Sequence, residues 1–345
     1  MRIAVIGPIS SDSFAKCIVH ALLDMGHDVL SVNPDKSFLS GFLPDSLYTR
    51  HFFNLKVIEE VLVKSFSSVE AYQWKKPIKT IKSYEPDLIL STMWDIPPGI
   101  LEKLKRGQNR DSLAVMWCPD ALINFGRQYL FLAPWDFLFF KDKYVVDVFK
   151  KKLQLNAHLL PLACYPKWHY KVSLSAKEMA TYGCDITIAG GLYPYRAKIF
   201  EHFLHYQIKI WGQPLSSYLE SPVRKFHQGR YVGELEKSKA FNGAAIVLNT
   251  MHYSEILGLN QRVFDTCGCG AFQIVDASPV IKDFFIPGRE LVCFRDLKEL
   301  KEIIPYYLSR PQERAEIAQA GYLRAHAEHT FQHRLEKMLQ VITGR

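Results

Sequence analysis

The chain has 345 residues, of which 48% are hydrophobic and 23% charged, a globular composition that excludes extensive disorder and leaves room for two domains. The formal net charge of +8 attracts anions such as phosphates or an acidic membrane face, yet Lys and Arg are spread with no stripe or arginine-rich arm, so nucleic acid is not an expected partner. No apolar run of about 18 residues occurs. The opening MRIAVIGPIS lacks a signal-peptide layout, so a cytoplasmic protein is expected, its charge permitting loose peripheral contact with the inner membrane face.

In chain order, Ile3–Ile6 reads as a buried strand, followed by a small polar loop and a helix from about Ser13 to Met25, which Gly26 ends. His27–Val32 is the next strand, then Asp87–Ser91, Leu113–Trp117 and Phe137–Phe140, with His158–Leu162 closing the series. Strands alternating with helical segments predict a parallel sheet covered on both faces. The polar, helix-prone stretch 170–183 marks the domain boundary. The pattern then restarts with Asp185–Ala189, a Gly190-Gly191 pair and a helix from about Arg196. Gln207–Trp211, Ala245–Asn249, Phe272–Val275 and Leu291–Phe294 are the later strands, and the charged tail from Pro311 has a helical period. The expected fold class is α/β, two doubly wound units in tandem.

Ligands of open parallel sheets bind beyond the carboxyl ends of the strands, so the residues after each strand matter most. The first such loop, Gly7-Pro8-Ile9-Ser10, lacks G-x-G-x-x-G, which disfavours a nicotinamide enzyme. The loop after the second unit's first strand is richer. Gly190 and Gly191 allow close backbone approach, and Arg196 falls on a first helical turn, either as a surface cation or as an anion ligand. Arg262 and Asp265 share a helical face three residues apart: an intrahelical ion pair, or one residue for a diphosphate and the other for ribose hydroxyls. Asp95 and Asp120 each follow a first-half strand, as turn or cap residues or as a general base. His252 follows Ala245–Asn249 as a ligand candidate. The seven cysteines show no disulfide framework, and Cys267 and Cys269 are expected to be buried small hydrophobes.

Gly190–Arg196 (GGLYPYR), Lys209–Gly212 (KIWG), Ile246–Asn249 (IVLN), Asn260–Gly270 (NQRVFDTCGCG), Pro287–Glu290 (PGRE) and Glu328–Arg334 (EHTFQHR) occur in an order that resembles CgeB-like glycosyltransferases of the spore-maturation type. A more distant similarity is to glycosyltransferase family 4. The resemblance covers about residues 183–339 and is vaguer before them.

The resemblance implies a GT-B fold: two Rossmann-like domains facing across a cleft, acceptor on residues 1–168, donor on 169–328, and a C-terminal helix at 329–345 returning to the first domain. It implies sugar transfer from a nucleotide-diphosphate donor, with a UDP sugar favoured, to a glycan, protein or small-molecule acceptor, and no bound metal or other cofactor. By position, Arg196 and Arg262 would hold the diphosphate and Asp265, where the family more often has Glu, the ribose. Trp211 and Val232, the latter through its backbone, would border the base. Asn249 and Asn260 would line the donor pocket. From their places after strands, Gly191, Tyr195 and His252 are further donor-pocket candidates, and Asp120, with Asp95 as the alternative, would activate the acceptor if the enzyme inverts; a retaining enzyme requires no such base. The rivals are a GT-B sugar-nucleotide epimerase and a non-catalytic nucleotide-sugar-binding module.

Overall fold

The computed structural model describes residues 1–11, 13–34, 58–59, 61–63, 65–107, 111–121 and 128–344. The chain forms two compact units, one of Met1–Phe140 with Val146–His158, the other of Lys141–Val145 with Leu159–Arg345.

The first unit holds a six-stranded sheet of β1 (Arg2–Ile6), β2 (Asp28–Val32), β3 (Leu88–Ser91), β4 (Leu113–Cys118), β5 (Phe137–Phe140) and β6 (Ala157–Leu159), in the order β2-β1-β3-β4-β5-β6. β1 pairs in parallel with β2 and β3, and β4 in parallel with β3 and β5. The runs are continuously apolar because both faces are covered: Ile3, Ala4, Val5 and Ile6 are all fully buried. Ser13 caps the helix Phe14–Asp24 by accepting from Lys16 N–H. Gly7 is required by packing, since a β-carbon there would lie 2.2 Å from Thr92 Oγ1 and 2.9 Å from Ala15 Cβ.

The second unit holds β7 (Cys184–Ala189), β8 (Ile208–Trp211), β9 (Ala244–Asn249), β10 (Gln273–Asp276) and β11 (Val292–Phe294), in the order β11-β10-β9-β7-β8. All four pairings are parallel. Counted within the unit, this is the doubly wound order 2-1-3-4-5, so winding reverses between β7 and β9, the place where such sheets bind ligands. Ile186, Ile188, Ile246, Leu248 and Ile274 build its core, sealed by the helices Leu297–Leu308 and Pro311–Glu328 through Leu300, Ile304 and Ile317.

The last first-half strand is shorter than expected. It stops at Leu159, and Leu160, Leu162, Ala163 and Cys164 are instead buried in the second unit. Cys164 forms an isolated parallel bridge with Thr330, which caps the final helix Phe331–Thr343. Arg334 on that helix donates from Nε to the Leu162 carbonyl at 3.2 Å. Leu162 and Cys164 belong to the second unit, so these contacts of the final helix lie within it.

Lys141–Val145 also groups with the second unit. Lys141 and Glu255 form a buried ion pair, and Asp142 accepts from the N–H groups of Ile256 and Leu257 at 3.2 and 3.0 Å.

Candidate functional site

The reversal of winding between β7 and β9 is spanned by two arginines. Arg196, in the first turn of the helix Pro194–Phe200, is 3% exposed. On the β7 side its Nη1 donates to the Gly191 carbonyl; on the β9 side Nε donates to Thr250 Oγ1 at 3.0 Å and Nη2 to the Thr250 carbonyl at 3.3 Å. Nη2 also reaches the Tyr193 hydroxyl at 3.3 Å, and the guanidinium lies 4.5 Å from the centre of the Tyr193 ring.

Arg262, half-buried in the first turn of the helix Gln261–Gly268, repeats the span. Its Nε donates to the Ala189 carbonyl at the end of β7, 2.6 Å away, and its Nη1 to Asn249 Oδ1 at the end of β9, 2.8 Å away. Asn249 and Asn260 exchange amide hydrogen bonds at 3.2 and 3.0 Å, and Asn260 caps the helix by accepting from Val263 N–H. Asn249, Asn260 and Arg262 therefore form one network that fixes the Arg262 guanidinium.

Gly190 lies between the two cations. Its φ of +143° is disfavoured for residues with a side chain, and a β-carbon would fall 2.3 Å from Arg262 Nη2 and 3.4 Å from Arg196 Nη1. Neither guanidinium has a carboxylate within ion-pair distance among the described residues. Burial, then the charge of Arg196, pushes Arg262 down to about 9, and burial lowers Arg196 as well. The nearest carboxylates act on them only at longer range, Asp276 on Arg196 and Asp265 on Arg262.

Asp265 does not pair with Arg262, which removes the intrahelical alternative. It is 2% exposed, with Lys237 Nζ 2.8 Å from Oδ2 and with His169 Nδ1 at 3.3 Å and Gln261 Nε2 at 2.8 Å from Oδ1. A ribose contact would require one of these partners to give way. Trp211 and Val232 pack together in a small core with Tyr182 and Ala240, and Trp211 donates from Nε1 to Thr187 Oγ1 at 3.1 Å. Among the described residues neither the N–H nor the C=O of Val232 has a hydrogen-bond partner. Two residues on, Glu234 holds the left-handed φ of 54° at the start of the helix Leu235–Asn242, backbone strain of the kind that gathers at ligand sites.

The Gly191 carbonyl is engaged by Arg196. Tyr195 is 42% exposed, and His252 is half-buried with Nδ1 2.6 Å from Ser254 Oγ. The two first-half carboxylates lie in the other unit, both exposed: Asp95 after β3 and Asp120 after β4. Asp95 is not the cap of the next helix, a position taken by Pro97.

Several site residues carried no isolated signal in sequence. Thr250 and Tyr193 complete the Arg196 cage. Lys237 neutralises Asp265 from a helix that periodicity does not reveal. Asp276 ends β10 and accepts from Met251 N–H at 2.6 Å; burial pushes it up to about 6, opposed by that hydrogen bond and by Arg196. It obeys the same rule of position after a strand and was legible on that ground. Cys267 and Cys269 are buried at 1% and 0%, and no metal-ligating group of three His, Cys, Asp or Glu occurs among the described residues. No described helix is long and apolar enough to cross a membrane.

Residues 196–340 match a family described as glycosyl transferase-like. Spore protein CgeB of Bacillus subtilis (strain 168) is 25% identical over 175 residues, covering 45% of this chain and 54% of that protein. The chain thus spans about half the length of the curated relative it matches. Among solved structures, Anabaena Alr3699/HepE in complex with UDP-glucose is similar with a TM-score of 0.65 at 11% identity, covering 100% of both chains. Sucrose-phosphate synthase (tll1590) from Thermosynechococcus elongatus gives 0.63 at 14% identity, covering 99% of this chain and 98% of that one. The fold is GT-B, with two Rossmann-like parallel-sheet domains.

Proposed function

We propose that the chain is a glycosyltransferase that moves a sugar from a nucleoside diphosphate donor to an acceptor hydroxyl without a metal ion. The observation that carries this reading is the Arg196–Gly190–Arg262 arrangement: a buried and a half-buried guanidinium with no carboxylate in ion-pair reach, at the point of the sheet where ligands bind. A diphosphate supplies the missing negative charge. As the bond from the sugar's anomeric carbon to the diphosphate breaks, the electron pair leaves on the phosphate oxygen and both cations stabilise it. The acceptor oxygen forms the new bond and gives its proton to a base, for which Asp120 is the candidate and Asp95 the alternative.

The second unit takes the donor in this reading and the first the acceptor. The unengaged backbone of Val232 suits the edge of a base, with Trp211 beneath it and Asn249 and Asn260 holding Arg262. The similarity to a UDP-glucose-bound protein favours a uridine donor. Asp265 reaches the ribose only if Lys237, His169 or Gln261 releases it. The acceptor is a glycan, a protein or a small molecule, and the site of action is the cytoplasm or its membrane face.

The test is turnover of a panel of UDP and GDP sugars with acceptor extracts, alongside Asp120→Asn. Free nucleoside diphosphate and glycosylated product from the wild type, with transfer collapsing and nucleotide affinity kept in the variant, is the expected result. An epimerised donor, or tight nucleotide binding with no turnover, would refute it.

A further inference from the structure

Beside the two arginines lies a closed circuit of four aromatic rings. Tyr253 meets His252 at 4.1 Å between centroids, and His252 meets Tyr193 at 5.2 Å. Tyr193 lies nearly parallel to Tyr195 at 6.5 Å, and Tyr195 closes the circuit edge-on to Tyr253 at 6.0 Å. The circuit joins the loops after β7 and β9, the same two loops that Arg196 spans. Two of its members are exposed, Tyr195 at 42% and Tyr253 at 66%.

Packing does not account for it. An aromatic turned to water costs free energy that a polar residue would avoid, and here two sit side by side. Their polar atoms are equally unused. Among the described residues neither the Tyr195 nor the Tyr253 hydroxyl has a hydrogen-bond partner, and nor does His252 Nε2. Tyr193 links the circuit to the cation, its ring against the Arg196 guanidinium and its hydroxyl accepting from Nη2.

We infer that Tyr193, Tyr195, His252 and Tyr253 form a platform for the monosaccharide carried on the distal phosphate of the donor. The inference rests on the nucleotide-sugar reading above and adds where the sugar lies and what recognises it. A pyranose has a face of C–H groups and a rim of hydroxyls. The exposed rings of Tyr195 and Tyr253 match the first part and the three unengaged polar atoms the second. The occupant is placed by continuity: a diphosphate on Arg196 and Arg262 holds its next substituent against Tyr193. The base is proposed at Val232, which packs with Trp211 on β8, on the other side of β7 from β9 and its loop.

The experiment measures the affinity of UDP and GDP, and of UDP-glucose, UDP-N-acetylglucosamine and GDP-mannose, by calorimetry on the full chain. It compares the wild type with Tyr195→Ala, Tyr253→Ala and Tyr195→Phe. Both tyrosines are exposed, so the fold tolerates the changes. The expected result is that the alanine variants bind the free nucleotide as the wild type does and lose about tenfold toward the cognate sugar conjugate. Tyr195→Phe, which keeps the ring, retains most of that affinity. Unchanged affinity for both ligand types, or an equal loss for both, would overturn the platform and leave the nucleotide site standing. A wild type that binds none of the nucleotides would overturn both.

Discussion

Arg196 and Arg262 close on the same glycine: a β-carbon at Gly190 would lie 3.4 Å from Nη1 of the first and 2.3 Å from Nη2 of the second. The next residue is spared, since a β-carbon at Gly191 would meet nothing nearer than Gln213 Cβ at 3.8 Å. Adjacent glycines should therefore differ sharply. Gly190→Ala should cost about 2–4 kcal/mol, from its φ and the displaced guanidinium. Gly191→Ala should stay within about 0.5 kcal/mol of the wild type. Urea denaturation of the two variants decides this, and equal costs would contradict the packing described.

The Arg196 and Arg262 guanidiniums repel one another, and a bound anion would relieve that repulsion. Pyrophosphate or a nucleoside diphosphate should raise the melting temperature in a concentration-dependent way, and chloride at equal ionic strength should not. Arg262→Gln should weaken nucleotide binding by about 1.5–3 kcal/mol and abolish the thermal shift. A variant that keeps the full shift would remove Arg262 from the anion site.

Asp276 should cost stability at neutral pH. Its folded value of about 6 lies above the ordinary 3.8, so the folded state holds its proton more tightly and stability falls as pH rises from about 3.8 through 6. Asp276→Asn keeps an acceptor for Met251 N–H and should stabilise the unliganded protein by about 1–3 kcal/mol at pH 7.5, and by less at pH 5. Unfolding free energies at the two pH values give the comparison; a destabilised variant at pH 7.5 would contradict it.

His329 works in the opposite direction. It is 5% exposed, its Nε2 2.8 Å from the Phe284 carbonyl and its Nδ1 3.0 Å from Arg334 Nη2. Nε2–H donates to the carbonyl and Nδ1 accepts from the arginine, which is the neutral imidazole. Burial above all pushes it down to about 4 from 6.5. The unfolded chain binds the proton first, so stability falls as pH drops from about 6.5 to 4, by up to about 3 kcal/mol. His329→Gln should flatten this acid limb, and Asp276→Asn should steepen it. An unchanged limb in His329→Gln would assign the loss to other groups.

Asp265→Asn should cost about 3–5 kcal/mol, because it breaks the buried Lys237–Asp265 ion pair from one side. Adding Lys237→Met should recover part of the loss. Additive losses would show that the two side chains are not coupled.

The strands were legible because a parallel sheet covered on both faces demands unbroken apolar runs, and Ile3–Ile6 and Ala245–Asn249 supply them. Arg196 and Arg262 were legible as cations near strand ends. Their relation to one another was not. A three-residue spacing places Arg262 and Asp265 on one helical face but does not say what stands opposite. Arg262, in the first turn, reaches the ends of β7 and β9, while Asp265, deeper in the helix, meets Lys237. That lysine sits on Leu235–Asn242, a helix whose LEKSKAFN sequence has no apolar stripe, so neither the helix nor its buried charge could be anticipated. Trp211 donates to Thr187 and packs with Val232, a pairing across 21 residues that no local pattern reveals.

Because Lys141–Val145 belongs to the second unit while its flanks belong to the first, the chain changes unit at three places, not one. During synthesis Lys141 leaves the ribosome more than a hundred residues before Glu255, its buried counterion. The first sheet can therefore form early, but this five-residue strap must wait for the second half of the message. A chimera joined at residue 159 would inherit a strap from one parent and its anchor from the other, so grafts between relatives should exchange Lys141–Val145 together with the C-terminal half.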